Sequence, residues 1–248
     1  MNKTYAVSDI HGMKPLWDQI MKYLDPNDTL YCLGDCADRG NDGWEIIKDA
    51  IADKRVIYLK GNHENMLLET MKDYLKDEGF YYDYALLCNN GGAKTFEDWQ
   101  IGERANPVWY HELAKLSLQE IYMNKNNQII LLSHAGYTLG DRPNFHDLIW
   151  SREHFYDPWP EGPSADRTFC IHGHTPFLLM PNYDPYIAVG KSYKDFDLEN
   201  MNHFWYCDGH KCDIDNGSFA TGKTCLIDLD TFETIESVSY THLRAHET

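Results

Sequence analysis

Thr29-Leu30-Tyr31-Cys32-Leu33-Gly34-Asp35-Cys36-Ala37-Asp38-Arg39-Gly40 is the stretch on which the fold turns. An apolar run with strand character ends in a polar cluster bracketed by glycines, where the backbone can bend sharply and approach a ligand closely. The same order of strand, polar turn and helix recurs on either side: 5–8 then 16–24, 29–33 then 44–52, and 55–59 then 64–75. Such alternation predicts βαβ units and a parallel sheet. In open α/β sheets ligands collect beyond the carboxyl ends of the strands, which is where Asp9, Asp35 and Asn62 stand.

Further along, residues 80–118 read as loosely helical, with Tyr81, Tyr82, Tyr84, Trp99, Trp109 and Tyr110 as apolar bulk and Gly91-Gly92 as an interruption. This predicts a helical insert, about 70–118, beside the site. Segments 128–132, 169–171, 186–189 and 224–229 read as strands of a second, more antiparallel sheet, and 157–164, rich in Pro and Gly, as a long loop. One domain over 1–237 is expected. Residues 238–248 read as a disordered or extraneous tail, because from Ser239 on no periodic pattern continues.

Composition narrows the class. The chain of 248 residues is 43% hydrophobic and 14% aromatic, ordinary for a globular protein. No apolar stretch approaches the roughly 20 residues that cross a bilayer, so no membrane partner is expected. The first residues enter a strand without a basic and then hydrophobic leader, so no secretory signal is visible and a cytoplasmic location is expected. Seven cysteines at irregular spacing fit free thiols in a reducing compartment better than a disulfide framework. A formal charge of -17 argues against general binding of nucleic acid, which needs clustered Lys and Arg. It also means that any phosphate site must be made positive locally, by metals and a few arginines.

Five polar clusters carry the chemistry: Asp9-Ile10-His11, Gly34-Asp35-Cys36-Ala37-Asp38-Arg39-Gly40, Gly61-Asn62-His63-Glu64, Ser133-His134-Ala135-Gly136 and His172-Gly173-His174-Thr175. Carboxylates, imidazoles and one carboxamide are the ligand types that hold a pair of divalent cations, and two close cations can clamp both oxygens of an in-line displacement at phosphorus. Asp9 and His11, two apart at a strand end, can face one metal; taken alone they read more readily as a capping Asp and a surface His. Asp35 is the candidate bridging carboxylate. Arg39 is either a surface partner of an acid or a fork for phosphate oxygens. Asn62 offers a neutral oxygen to a second metal, or serves as a helix N-cap. His63 is the candidate general acid, oriented by Asp38. Glu64 reads as a first-turn residue favoured by the helix dipole. His134 and His174 each follow an apolar strand and add two imidazoles at strand ends.

With these residues in view the chain resembles the metallophosphoesterase superfamily, and within it the phosphoprotein-phosphatase branch found in bacteria and phages. The resemblance covers roughly residues 4–230 and rests on the five clusters. It is joined by Asn90-Gly91-Gly92-x-x-Thr95, Ile149-Trp150-Ser151-Arg152 and Ile214-Asp215-Asn216-Gly217. It implies the calcineurin-like α/β fold, with two mixed β-sheets in a sandwich flanked by helices. It also implies one metal on Asp9, His11 and Asp35, and a second on Asp35, Asn62, His134 and His174. Arg39 and Arg152 would hold phosphoryl oxygens, a metal-bridging hydroxide would attack phosphorus, and His63 paired with Asp38 would act as general acid. Manganese is the expected metal, with iron or zinc as alternatives.

His172 could supply a second imidazole of a His-x-His pair, but the branch usually supplies one ligand here, so His174 is taken as the ligand and His172 as a strand-end group that supports it. Pro176, where the broader superfamily often has another His, favours the protein-phosphatase branch over the general phosphodiesterase branch. His203, Cys207, His210 and Cys212 crowd together without the spacing of a closed zinc motif. The expected substrate is a phosphorylated Ser, Thr or Tyr in a protein or peptide. The alternatives are symmetrical hydrolysis of diadenosine tetraphosphate or a related dinucleotide, a small phosphorylated metabolite as substrate, and a catalytically silent binding module. The walls, 80–109 and 193–205, are where a nucleotide pocket would show itself.

Overall fold

The computed structural model describes residues 2–77, 81–137, 144–155, 157–162, 164–178 and 201–239. The expected strand at 186–189, nearly all of the expected wall at 193–205 and the tail from 240 onward lie outside the described residues.

Two five-stranded mixed sheets face one another. The first is built from β1 (Thr4–Val7), β2 (Thr29–Cys32) and β3 (Val56–Tyr58) in parallel, with β9 (Lys223–Asp228) and β10 (Thr234–Ser239) added antiparallel beyond β1, giving the order β10-β9-β1-β2-β3. The second takes β4 (Gln119–Met123), β5 (Ile129–Ser133), β6 (Thr168–His172), β8 (Lys211–Asp213) and β7 (Phe204–Tyr206), in that order. Its centre, β5-β6-β8, is parallel, and only its edges β4 and β7 run antiparallel.

Two expectations are corrected here. The closing strand at 224–229 belongs to the first sheet, because β2 occupies one side of β1 and leaves the other side free to accept the returning chain. The second sheet is less antiparallel than its reading, since β5, β6 and β8 all deliver their carboxyl ends to one edge. The last strand also runs through Val238 and Ser239, two residues into the stretch read as tail.

Apolar residues explain the layering. Between the sheets lie Ala6, Tyr31 and Leu33 with Cys225, Ile227 and Leu229 from one side, and Ile130, Leu132, Ile171 and Cys212 from the other. Alternate residues of β1 and β2, namely Tyr5, Val7, Leu30 and Cys32, turn outward instead and pack under helices. Those are α1 (Lys14–Tyr23), α2 (Gly43–Ala52) and α3 (Asn62–Lys76), with α4 (Tyr81–Asn89), α5 (Ala93–Glu97) and α6 (Pro107–Ala114) beyond them. The range read as an insert, about 70–118, holds the end of α3, which is continuous through Lys76, followed by α4, α5 and α6. Part of its aromatic bulk is internal: Tyr84, Phe96 and Trp99 meet ring to ring with one another and with Tyr74 of α3, and Trp109 packs on Trp44, whereas Tyr81 and Tyr82 are exposed. On the far side of the second sheet a smaller core gathers Phe155, Phe177, Phe204 and Tyr206. No helix of the described residues is long and apolar enough to cross a membrane.

Candidate metal centre

Both parallel sets of strands end at the same rim. Asp9 follows β1, Asp35 follows β2, Asn62 is the first residue of α3 after β3, His134 follows β5 and His174 follows β6. All five are buried, as are His11, His63 and Asp38. The turns that aim them are strained, since Asp9, His11, Asp35, Asp38, Arg39 and His174 all adopt positive φ, between 47° and 74°. A non-glycine residue in that region costs about 1 kcal/mol or more, and such residues cluster at functional sites because the surrounding structure holds them there. Close backbone approach adds a second constraint. A Cβ on Gly173 would come within 2.1 Å of Asp9 Oδ2, and one on Gly61 would lie equally close to Asp35 Oδ1.

Asp35 is the hub. Its Oδ2 lies 3.7 Å from His11 Nε2, 3.8 Å from His63 Nε2 and 3.4 Å from His134 Nε2. Around it two groups of metal-capable atoms converge, His11 with Asp35 and His63, and Asp35 with His134 and His174, each within 4.8 Å of one another. Asp9 Oδ1 stands 3.7 Å from His11 Nε2, and Asn62 Oδ1 is 2.9 Å from both His134 Nε2 and His174 Nδ1. The bland reading of Asn62 as N-cap is not what the chain does, because Gly61 caps the helix and leaves the carboxamide to face the imidazoles.

The imidazoles of His11, His134 and His174 are each oriented by a backbone carbonyl on the outer side. His11 Nδ1 meets Ala37 O at 3.1 Å, His134 Nδ1 meets Leu33 O at 2.9 Å, and His174 Nε2 meets Trp150 O at 3.1 Å. A carbonyl only accepts, so the outer nitrogen donates and the inner one presents a lone pair, the arrangement that prepares a histidine for ligation. His134 Nε2, His174 Nδ1 and Asn62 Oδ1 then crowd three acceptors within 3.2 Å, which calls for a cation or a proton among them. Electrostatics say the same. Burial would lower His134, but Asp35 and Asp9 outweigh it and raise its pKa to about 10. Burial and the charge of Asp35 raise Asp9, while the three imidazoles around Asp35 overcome its burial and hold it well below the usual carboxylate range. Asp9 Oδ1 is buried with no hydrogen-bond partner. The donor set of carboxylate, carboxamide and imidazole, with that orphaned oxygen, fits divalent cations.

Beside the hub, His63 Nδ1 meets Asp38 Oδ2 at 2.8 Å and its Nε2 faces Arg39 Nη2 at 3.2 Å. Arg39 Nη1 reaches His11 Nε2 at 2.7 Å, so its guanidinium supplies the positive charge these lone pairs need. Arg152 is half-buried, and its charge adds to burial in pushing His174 down. His172 points away from the centre: its Nε2 meets Tyr206 Oη at 2.8 Å, and burial lowers its pKa to about 3. Among the described residues no metal-capable group forms at 203–212, where His210 instead stacks on Trp159.

Four residues that hold the site were missed or given lesser parts. Glu64 is fully buried, and its carboxylate accepts from the backbone N–H of Asp35, Ala37 and Gly61 and from Tyr58 Oη, so it fastens the Asp35 turn to α3. Thr95 Oγ1 accepts from Asp38 N and Gly91 O from Arg39 N, so the Gly91-Gly92 turn clasps the strained Asp38-Arg39 pair. Ser218 donates to Asp9 O. The Asn-Gly-Gly-x-x-Thr pattern was the available signal for the clasp; Ser218 had none.

A family model described as calcineurin-like phosphoesterase matches residues 3–214. Among solved structures, a protein provisionally named a diadenosine tetraphosphatase superposes with a TM-score of 0.57 at 13% identity, covering 96% of this chain and 93% of that one. A protein serine/threonine phosphatase from Saccharomyces cerevisiae gives 0.53 at 14% identity, with 93% and 73% covered. A cold-active protein-tyrosine phosphatase from a Shewanella species gives 0.52 at 15% identity, with 96% and 81% covered. Comparison with curated protein sequences finds no match.

Proposed function

The chain belongs to the calcineurin-like phosphoesterase family, and within it we propose a metal-dependent phosphoric monoester hydrolase that removes phosphate from serine or threonine, and from tyrosine, in proteins. The observation that carries this reading is the buried His63–Asp38 pair beside the hub. Hydrolysis of a seryl or threonyl ester expels an alkoxide, a poor leaving group that needs a proton as the bond breaks. Burial opposes a charged His63, but Asp35 and Asp38 outweigh it and raise its pKa, so the ring can carry that proton once Arg39 leaves Nε2 for the phosphoryl oxygens. Cleavage between phosphates of a dinucleotide expels a far better leaving group and has less use for such a donor.

In this reading Asp9, His11 and Asp35 hold one cation, and Asp35, Asn62, His134 and His174 hold the other. When bound, such a pair polarises the phosphoryl oxygens and activates a water. Arg39 and Arg152 bind phosphoryl oxygens and neutralise charge in the transition state. Manganese is the proposed metal, since a mixed oxygen and imidazole set suits it. Seven free cysteines, six of them buried, support a reducing, cytoplasmic setting.

A second reading, hydrolysis of dinucleoside tetraphosphates, has one observation in its favour. Phe219, half-exposed, lines a groove of about 600 Å³ that Arg39 also lines, and its ring could stack on a base. Against it, Trp99 of the insert is buried and Trp109 packs on Trp44, although Tyr81 and Tyr82 are exposed. The test is turnover of a phosphoserine peptide and of diadenosine tetraphosphate by the same manganese-loaded preparation, with Asp35→Ala as control. Faster peptide turnover, lost in the control, is the expected result. A dinucleotide preference that Phe219→Ala abolishes would establish the second reading instead.

A further inference from the structure

Lys211, in β8, is one of the largest fully buried side chains, 2% exposed. Its ammonium donates to His154 O at 2.5 Å and to Asp157 O at 2.9 Å and lies 5.8 Å from the centre of the Tyr206 ring. Among the described residues it forms no ion pair. Burying an ammonium against carbonyl dipoles alone is unfavourable compared with burying an apolar chain of the same length. The core of Phe155, Phe204 and Tyr206 around it would accept such a chain.

What the charge accomplishes is visible in the segment it holds. His154 O is two residues after Arg152, and Trp150 O, which receives His174 Nε2 at 3.1 Å, is two residues before it. Phe155 N returns to Arg152 O at 3.2 Å and closes a short turn at Glu153–Phe155. The backbone of Arg152 is thus fastened on one side to an imidazole of the metal centre and on the other to Lys211. We propose that Lys211 is a positioning residue, whose ammonium fixes the Arg152 turn so that the guanidinium meets the phosphoryl group at the right height. This rests on the reading that Arg152 binds phosphoryl oxygens.

A double-mutant cycle on the manganese-loaded enzyme tests it, reading the inhibition constant of inorganic phosphate and KM for p-nitrophenyl phosphate, with metal content and thermal melting measured for each variant. Lys211→Met should raise both constants about tenfold when Arg152 is present. It should change neither by more than about twofold in an Arg152→Ala background. Equal rises in both backgrounds, or no rise in a folded Lys211→Met enzyme, would overturn the proposal. Should that variant not fold, Lys211→Gln keeps a donor in a similar volume and should raise the phosphate constant about threefold, again only with Arg152 present. Loss of folding in both variants would make Lys211 a core residue alone and overturn the proposal. If Arg152→Ala by itself leaves phosphate inhibition unchanged, the phosphate role of Arg152 falls, and this proposal with it, a result separable from the Lys211 comparison.

Discussion

His63 Nδ1 lies 2.8 Å from Asp38 Oδ2, with both side chains buried. A carboxylate in that position orients the ring, keeps a proton on Nδ1 and leaves Nε2 toward Asp35 and Arg39. His63→Ala should therefore slow alkyl phosphates by about 10²–10⁴ and aryl phosphates much less. A plot of kcat against leaving-group pKa measures the difference, and parallel lines for mutant and parent would remove His63 from the acid role. Asp38→Asn should follow the same trend with metal content unchanged.

Glu64 accepts three backbone N–H groups and one phenol inside the protein. Glu64→Gln replaces one accepting oxygen with an amide that faces donors, so at least one buried N–H is left without a partner. We expect a loss of about 2–4 kcal/mol in urea unfolding and weaker metal retention, because the Asp35 turn is no longer held. Unchanged stability with full metal content would show that the turn keeps its shape without Glu64.

Metal binding should be proton-linked. In the metal-free protein His134 is protonated at neutral pH, since its pKa is raised to about 10. A ligand must be neutral, so loading a chelator-stripped sample with manganese should release close to one proton from this residue, and affinity should rise with pH up to that value. Calorimetry in two buffers of different ionisation enthalpy counts the proton. Binding without release would contradict the ligand assignment. Stripping should also abolish phosphoesterase activity and lower Tm, both recovered on reloading.

Far from the centre, Asp230 accepts from Tyr122 Oη at 2.9 Å, Lys125 N at 3.1 Å and Lys125 Nζ at 2.5 Å. Burial pushes its pKa up, but these donors outweigh burial and hold it below the usual carboxylate value. A depressed native pKa stabilises the fold above the unfolded value, about 3.9, and that stability is lost as pH falls through the native pKa. Asp230→Asn should lower stability at pH 7 by about 1 kcal/mol and flatten the acid limb of Tm against pH below about pH 4. An acid limb identical to the parent would assign acid sensitivity to other carboxylates.

From the sequence alone came the residue types and their place at strand ends. Asp9, Asp35 and Asn62 follow apolar runs in a strand-and-helix alternation that carries its own chirality and direction, and His134 and His174 repeat the signal. Local propensity and short polar turns suffice for that, because each cluster is contiguous. The tertiary structure alone decided that the closing strand pairs with β1. It also decided that Glu64 turns inward to fasten the Asp35 turn, that Thr95 clasps Asp38 across 57 residues, and that Lys211 is buried behind Arg152. A Glu, a Thr or a Lys is equally at home in water, and its sequence neighbours do not say otherwise. Only the packing of distant segments, which strips water from such a group and leaves one partner within reach, determines what it does.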